Sequence, residues 1–300
     1  MVDILNQIKQ SYKNGDILTR LIFVNVGIYL SIVAFRTIFG LFTTVSVRQF
    51  DDTVVEYLGA PYNDFTQLIY KFYTIITHMF LHIEFYHILS NMILLYFLGR
   101  IFLSYFTPKR LLGLYFLGGL MGITLLEVIL AISPNFPNSS YAYGASAAVT
   151  AIVLGICLHA PKVEVRIFGI IPVKLLWLGI GIVLLDFIRM MDGNTGGHIA
   201  HIGGALAGYL FASAEKQGKD ITKSINSVIS SIVNLFKHKS KMKVVYSQEN
   251  VKNMTDDEYN KNKVYTQKEI DKILDKISAS GYESLTKKEK KDLYNFSKNK

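Results

Sequence analysis

The sequence has almost no cysteine, and it lacks both a zinc-protease motif and the pattern of a cleaved leader. Its single cysteine, Cys157, lies in an apolar run, which excludes an intrachain disulfide and a cysteine metal cluster. No HExxH string occurs, and the nearest histidine pair, His82 and His87, has the wrong order for that motif. Residues 1–16 are mostly polar, so we expect the first apolar run to remain in the mature protein as a membrane anchor.

Charge is also scarce over the first two-thirds of the chain. Residues 215–300 hold 19 of the 32 Lys and Arg and 12 of the 23 Asp and Glu. This division predicts a membrane domain at 17–214, preceded by a cytoplasmic segment at 1–16 and followed by a basic cytoplasmic tail at 215–300. No nucleic-acid-binding motif accompanies the charge, which argues against a nucleic-acid partner and favours an anionic lipid surface.

The apolar part of the chain is divided into six runs, and a spanning helix needs about 20 apolar residues. The fourth and sixth runs are short and rich in glycine and alanine. The predicted fold class is an all-α membrane protein, a bundle of six transmembrane helices followed by a helical tail. The six spans are predicted at about 17–39, 86–106, 111–132, 144–160, 173–191 and 196–213.

The loop charges predict the orientation of these spans, because Lys and Arg favour the cytoplasmic side. Basic residues precede the first span and lie in the second–third and fourth–fifth connections, whereas the connection at 133–143 carries no charge. Both termini are therefore predicted in the cytoplasm. The first connection, about 40–85, is long and rich in aromatic and acidic residues, which predicts a functional loop with an interfacial segment from Phe65 to Ile76.

The tail contains two kinds of helical signal. Apolar residues recur at helical spacing over 221–236 and are followed by a basic cluster, which suits a helix lying on an anionic membrane. Two short helices are predicted beyond it, separated by a helix stop at Gly281. Their starts match the capping-box spacing at two pairs, Thr266 with Glu269 and Thr286 with Glu289.

Five of the seven histidines map to the extracytoplasmic half of the predicted membrane domain. Ionisable groups at membrane depth are costly, so each of them is a functional candidate. The alternative for any single one is an interfacial or hydrogen-bonded structural histidine. The five are His78, His82, His87, His198 and His201.

A serine and a histidine in small-residue stretches are the best candidates for nucleophilic catalysis. Ser146 follows Gly144, which permits a strained turn, and falls at a predicted helix start, where free N–H groups suit an oxyanion. Gly204 and Gly208 have the spacing that lets two helices touch, and His201 lies one turn before Gly204 on the same face. If the neighbouring helix carries Ser146, His201 is placed to act as its general base.

Two further donors and two alternatives accompany this pair. His87 and Asn91 lie four residues apart on one helix face and are candidate hydrogen-bond donors for an oxyanion hole. His198, three residues before His201, is an alternative base. Asp186 is a candidate third member of a Ser–His–Asp triad, with a structural role at a helix end as its alternative.

Three motifs taken together resemble the signature of the rhomboid proteases, bacterial branch. They are Gly144-Ala-Ser146, Ala200-His201-Ile-Gly-Gly204 with Gly208, and His87-xxx-Asn91 preceded by His78 and His82. The resemblance covers about residues 17–213 and implies a six-helix bundle with a water-filled cavity open to the extracytoplasmic side. It implies Ser146 as nucleophile, His201 as general base, and an oxyanion hole from His87, Asn91 and the Ser146 N–H.

The sequence departs from the family pattern at two positions. Ala147 stands where the family often has glycine, a small change that we expect to be tolerated. Thr150 stands where many members carry a tyrosine that packs on the catalytic imidazole. Another group must then position His201, and a hydroxyl or Asp186 is the candidate.

The resemblance implies an intramembrane serine endopeptidase that cleaves transmembrane segments of membrane proteins without a cofactor or metal. The expected location is the bacterial cytoplasmic membrane. One alternative is a catalytically inactive rhomboid-like protein that binds membrane clients. Another is a channel or small transporter, but the clustering of polar residues on one side of the membrane argues against a path through it.

Overall fold

The computed structural model describes residues 2–62, 65–133, 140–167, 169–189, 194–236 and 256–298. The chain forms two compact units, Met1–Lys237 and His238–Lys300. The first unit therefore extends beyond the predicted boundary at 214. It contains α1 Val2–Asn14, α2 Ile17–Phe42, α3 Val47–Leu58, α4 Phe65–Tyr70, α5 Thr74–Thr77, α6 Phe85–Tyr105, α7 Pro108–Ile132, α8 Ser146–His159, α9 Leu175–Ile188, α10 Thr195–Lys216 and α11 Lys223–Phe236.

Three helices in the described residues have the length and hydropathy needed to cross a bilayer, namely α2, α6 and α7. The helices α8 and α9 are shorter apolar helices of 14 residues each. At a rise of about 1.5 Å per residue, each spans about 21 Å, less than the roughly 30 Å of a hydrocarbon core. Helix α10 is longer, at 22 residues. The count of six spans therefore stays a prediction.

Two small antiparallel sheets accompany the helices of this mostly helical fold. Strand β1 (Ala60–Tyr62) pairs with β2 (Ser140–Ala142), with Ala60 opposite Ala142. Strand β3 (Glu164–Ile167) pairs with β4 (Ile171–Lys174) in the connection between α8 and α9. Strands of three and four residues are too short to show an alternating pattern in the sequence, so periodicity does not reveal them.

Helix α8 lies at the centre of the first unit and contacts α6, α7, α9 and α10. Ten of its residues between Ala147 and Cys157 are buried, which explains why its sequence is apolar on every face. Its contact with α10 depends on glycine. A Cβ atom at Gly204 would overlap the Ala147 carbonyl oxygen, and one at Gly208 would lie 2.6 Å from the Ala151 carbonyl oxygen. The close approach predicted for the histidine helix is confirmed, and its neighbour is the helix of Ser146.

Ion pairs hold the helix ends that lie away from the candidate histidines of the predicted site. Asp16 caps the start of α2 and pairs with Arg100 near the end of α6. Arg110, in the first turn of α7, lies 2.8 Å from Glu215 at the end of α10 and 3.4 Å from Asp220. These contacts connect the ends of four helices. The candidate histidines of the predicted site lie at the opposite end of the bundle.

Helix α11 begins against α7, because a Cβ atom at Gly113 would lie 2.6 Å from the Thr222 side chain. Beyond this contact its apolar side chains are exposed on the described surface, among them Val228, Ile232 and Val233. This helix matches the apolar stripe predicted over 221–236.

The second unit is a helical hairpin, with Asp256–Ser280 followed by a short 3-10 turn and by Lys287–Lys298. The prediction of a helix start at Thr266 is wrong, because the first helix already runs through that residue. The spacing of a capping box also occurs inside helices, where it caps nothing. The other two signals are confirmed: Gly281 has φ of 77°, and the Thr286 N–H donates to Glu289 Oε2 in a capping box.

Candidate active site

A cavity of about 770 Å³ opens between α6, α8, α9 and α10 at the histidine end of the bundle. All four predicted site residues line it, namely Ser146, His201, His87 and Asn91. Residues from three separate helices therefore meet around one space. That space is large enough for several residues of a peptide.

Ser146 is the first residue of α8, as predicted, and a left-handed turn precedes it. Gly144 has φ of 114°, a conformation that L-residues with a side chain rarely adopt. A Cβ atom there would lie 2.6 Å from the His87 ring. Glycine thus serves two purposes, the turn that presents Ser146 and the close approach of His87 to that turn.

The segment His78–His82 holds this turn through hydrogen bonds. The Gly144 N–H donates to the His78 carbonyl oxygen at 2.8 Å, and the Ala145 N–H donates to His82 Nε2 at 3.3 Å. Asn91 Nδ2 also lies 3.1 Å from His82 Nε2. His82 therefore connects the turn before Ser146 with a candidate oxyanion donor.

The two donors share the single lone pair of His82 Nε2, which is available only while that nitrogen carries no proton. Burial, and then the neighbouring His87, lower its pKa to about 3, so the ring is neutral near pH 7. Sequence reasoning counted His82 in the motif but gave it no role. Its bonds join residues far apart in the chain, and no local pattern marks such a contact.

The same segment is anchored to α2 and α7. The buried Tyr115 hydroxyl donates to the Met79 carbonyl oxygen at 2.9 Å, and Asn25 Nδ2 donates to the Tyr115 oxygen at 3.3 Å. The Met79 side chain fills the space beside Gly119, where a Cβ atom would lie 2.5 Å from it. The support of the Ser146 turn therefore reaches the centre of the bundle.

His201 is held by a carboxylate on the neighbouring helix α9. Its Nδ1 lies 2.8 Å from Asp186 Oδ1, and His198 Nδ1 lies 2.9 Å from the same oxygen. An ionised carboxylate only accepts hydrogen bonds, so Nδ1 of the neutral ring carries the proton and Nε2 is left with a free lone pair. That is the form of imidazole that can take a proton from a serine.

The two candidates for supporting His201 are therefore distinguished by contact. Asp186 touches the ring, whereas Thr150 is buried beside the cavity and has no hydrogen bond to His201 in the described part of the chain. Among the same residues, Ser146 has no hydrogen bond to His201 either. Catalytic hydrogen bonds are often long before substrate binds and tighten in the complex.

His87 is held differently from His201. Its Nδ1 lies 3.5 Å from Glu84 Oε2, and Glu84 Oε1 also accepts from the Tyr143 hydroxyl at 3.2 Å. The Nε2 edge of the ring faces Gly144. In a neutral ring whose proton lies on Nδ1, facing Glu84, Nε2 has a lone pair and cannot donate. Nε2 donates a hydrogen bond only when the ring carries both protons.

Similarity to known proteins agrees with this arrangement. Residues 70–216 match the family model described as the rhomboid domain. This segment, just under half of the chain, is similar to rhomboid domains. It contains α6 to α10 and therefore every residue that lines the cavity except Tyr62.

One similar protein is RHOMBOID-like protein 12, mitochondrial, from Arabidopsis thaliana. It is 35% identical over 162 residues, which cover 50% of this chain and 48% of the relative. The chain thus spans about half the length of that relative. The relative's name refers to mitochondria, so membership of a bacterial branch stays a prediction. In the tail, residues 254–299 match a family of unknown function (DUF6576).

Proposed function

We propose that this protein is an intramembrane serine endopeptidase that cleaves transmembrane segments of other membrane proteins. One observation carries the proposal: Ser146 at a helix start shares a cavity with His201, whose Nδ1 is hydrogen-bonded to Asp186. A serine hydroxyl is a weak nucleophile until a base removes its proton. An imidazole with a free Nε2 beside it is such a base.

In the proposed reaction, Ser146 Oγ attacks the carbonyl carbon of the scissile peptide while His201 Nε2 takes the hydroxyl proton. The tetrahedral intermediate collapses, the C–N bond breaks, and His201 returns the proton to the leaving amine. A water molecule from the cavity then attacks the acyl-enzyme, with His201 again as base, and releases the new carboxyl end. Asp186 holds the ring in one tautomer throughout.

The oxyanion of the intermediate needs preorganised donors. The Ser146 N–H lies at the start of α8, where backbone donors are free of helix bonds. Asn91 Nδ2 carries two protons, one directed to His82 and one available to the oxyanion. We assign these two as the principal donors, with His87 contributing only in its doubly protonated form.

We further propose six spans with both termini in the cytoplasm. The short helix α8 then begins inside the membrane, after a non-helical segment at 140–145. Unpaired backbone groups are costly at that depth. The pairing of β1 with β2, and of Gly144 with His78, supplies partners for them. A substrate would enter sideways past α9, whose apolar face carries exposed Leu184 and Leu185.

Labelling with a fluorophosphonate probe and cleavage of a model transmembrane substrate test the proposal together. We expect wild-type protein to react with both, and Ser146→Ala to react with neither while keeping its melting temperature. An inactive client-binding protein would show no labelling in the wild type and would still bind the substrate. Cleavage by Ser146→Ala near the wild-type rate in detergent would exclude Ser146 as the nucleophile.

A further inference from the structure

Asp186, His198 and His201 form a cluster that the proposed peptidase reaction uses only in part. Both imidazoles direct Nδ1 to the same Asp186 oxygen, at 2.9 and 2.8 Å. The potential ligand atoms of the three side chains all lie within 4.8 Å of one another. The reaction explains Asp186 and His201 but requires nothing of His198.

The geometry is close to that of a bound divalent cation. Two imidazole nitrogens and one carboxylate oxygen, with water in the fourth position, are a ligand set that Zn²⁺ takes in proteins. Ligands at about 2.0–2.2 Å from a tetrahedral ion lie roughly 3.4 Å apart. The two N···O distances therefore need to lengthen by only about half an ångström. Imidazole-rich sets favour zinc over calcium and magnesium, which prefer oxygen ligands.

The cluster is also accessible and mechanically supported. Its three side chains are 14% to 20% exposed, and all three line the water-accessible cavity. His198 and His201 lie three residues apart near the start of α10, which Asn194 caps. Two of the three ligands therefore come from one rigid helix, and the third comes from α9.

We propose that Asp186, His198 and His201 bind Zn²⁺, and that this binding switches the peptidase off. The inhibitory part rests on the proposed role of His201 as general base. A neutral imidazole has one lone pair, and a metal on Nδ1 occupies it. The ring proton then resides on Nε2, which can no longer accept the proton of Ser146. The same ion joins α9 to α10 and fixes the helix past which a substrate would enter.

The inhibition is tested with full-length protein purified through a histidine-free tag and stripped with chelator. We expect Zn²⁺ to abolish cleavage, and excess EDTA to restore it. In His198→Ala the zinc concentration for half-inhibition, measured against that variant's own metal-free rate, rises at least tenfold, because loss of a ligand weakens the site. The matched control is His159→Ala, which removes a histidine at the other end of α8, packed on Phe106. We expect His159→Ala to leave the zinc concentration for half-inhibition unchanged.

Binding is measured separately from activity, by calorimetric titration of Ser146→Ala with Zn²⁺. We expect one ion per chain, with a Kd that rises at least tenfold after the further change His198→Ala. This readout does not depend on peptidase activity, so an inactive wild type would defeat the proposed function and leave the zinc site standing. Absence of binding, or a Kd that His198→Ala leaves unchanged, overturns the site. Binding without inhibition overturns the switch.

Discussion

At the scale of single residues, the site depends on which ring nitrogen of each histidine carries a proton. Asp186 fixes that choice for His201, and Ala145 with Asn91 fixes it for His82. Hydrogen-bond partners set the tautomer of an imidazole, and the tautomer decides whether it is a base or a donor. Three chemically identical side chains, at 82, 87 and 201, thereby take three different roles in the proposal.

Asp186→Asn tests the positioning role of the carboxylate. An amide at this position can hold the ring in the wrong tautomer, so we expect kcat to fall at least tenfold while KM changes little. The fluorophosphonate labelling rate should fall in parallel, and the melting temperature should stay within about two degrees. His198→Gln is the matched comparison and should lower kcat less, because the Asp186 carboxylate still accepts the hydrogen bond from His201.

A purely structural role for Asp186 gives a different pattern. In that case Asp186→Asn lowers the melting temperature, and activity falls only with the folded fraction. If His198→Gln removed activity and Asp186→Asn did not, the general base would be His198.

The two candidate oxyanion donors should differ in importance. Removing one preorganised donor typically slows a reaction by about 10² to 10³, and we expect Asn91→Ala to reach this range. His87→Ala should slow the reaction less, because Nδ1 faces Glu84 and Nε2 can donate only when the ring carries both protons. Rates of cleavage and of probe labelling, each normalised to folded protein, measure both.

Asn91 also anchors His82, so its loss should lower the melting temperature as well. The test of the oxyanion role is therefore the activity that remains per folded molecule. Equal losses in the two variants, or an Asn91→Ala defect explained by unfolding alone, would contradict the assignment.

At the scale of elements, the contact between α8 and α10 determines whether Ser146 and His201 share a cavity. Gly204→Ala places a methyl group against the Ala147 carbonyl oxygen, which cannot move without displacing α8. Overpacking of this kind costs about 1–3 kcal/mol. We expect a melting temperature several degrees lower and a loss of cleavage larger than the loss of folded protein.

Gly27→Ala is the matched control, because nothing lies within 4 Å of a Cβ atom at that position of α2. Alanine favours helix over glycine by about 1 kcal/mol, so this variant should be as stable as wild type or slightly more so. Similar behaviour of the two variants would show that helix propensity, and not the α8–α10 contact, governs the effect.

Small-residue spacing predicted that the helix of His201 approaches a neighbour closely, because such an approach requires glycine or alanine at the contact. The spacing did not determine that this neighbour is α8. The turn at Gly144 and the helix start at Ser146 were likewise predictable from the local sequence. No local sequence pattern marks the β1–β2 pair, the two bonds of His82 or the bond from Asp186 to His201. Each joins residues that only the fold brings together. The sequence offered Asp186 and a hydroxyl as alternative partners for His201, and only the structure shows that the carboxylate makes the contact.

At the scale of the whole molecule, the predicted orientation can be tested by cysteine labelling. In a Cys157→Ser background, Thr44→Cys beyond α2 should react with a membrane-impermeant maleimide in intact cells. Lys162→Cys beyond α8 should react only after the membrane is opened. Both positions are exposed to solvent in the fold, so a difference between them reports the side of the membrane. The reverse pattern would contradict cytoplasmic termini.

The order in which the site residues occur along the chain has a consequence for biosynthesis. Ribosomes deliver a protein from its N-terminus, so His82 and Asn91 are made first, Ser146 next, and Asp186 and His201 last. A nascent chain that has inserted α8 but not α10 carries the serine turn without its base. In the proposed peptidase, the growing polypeptide would therefore lack its catalytic pair until α10 has been made.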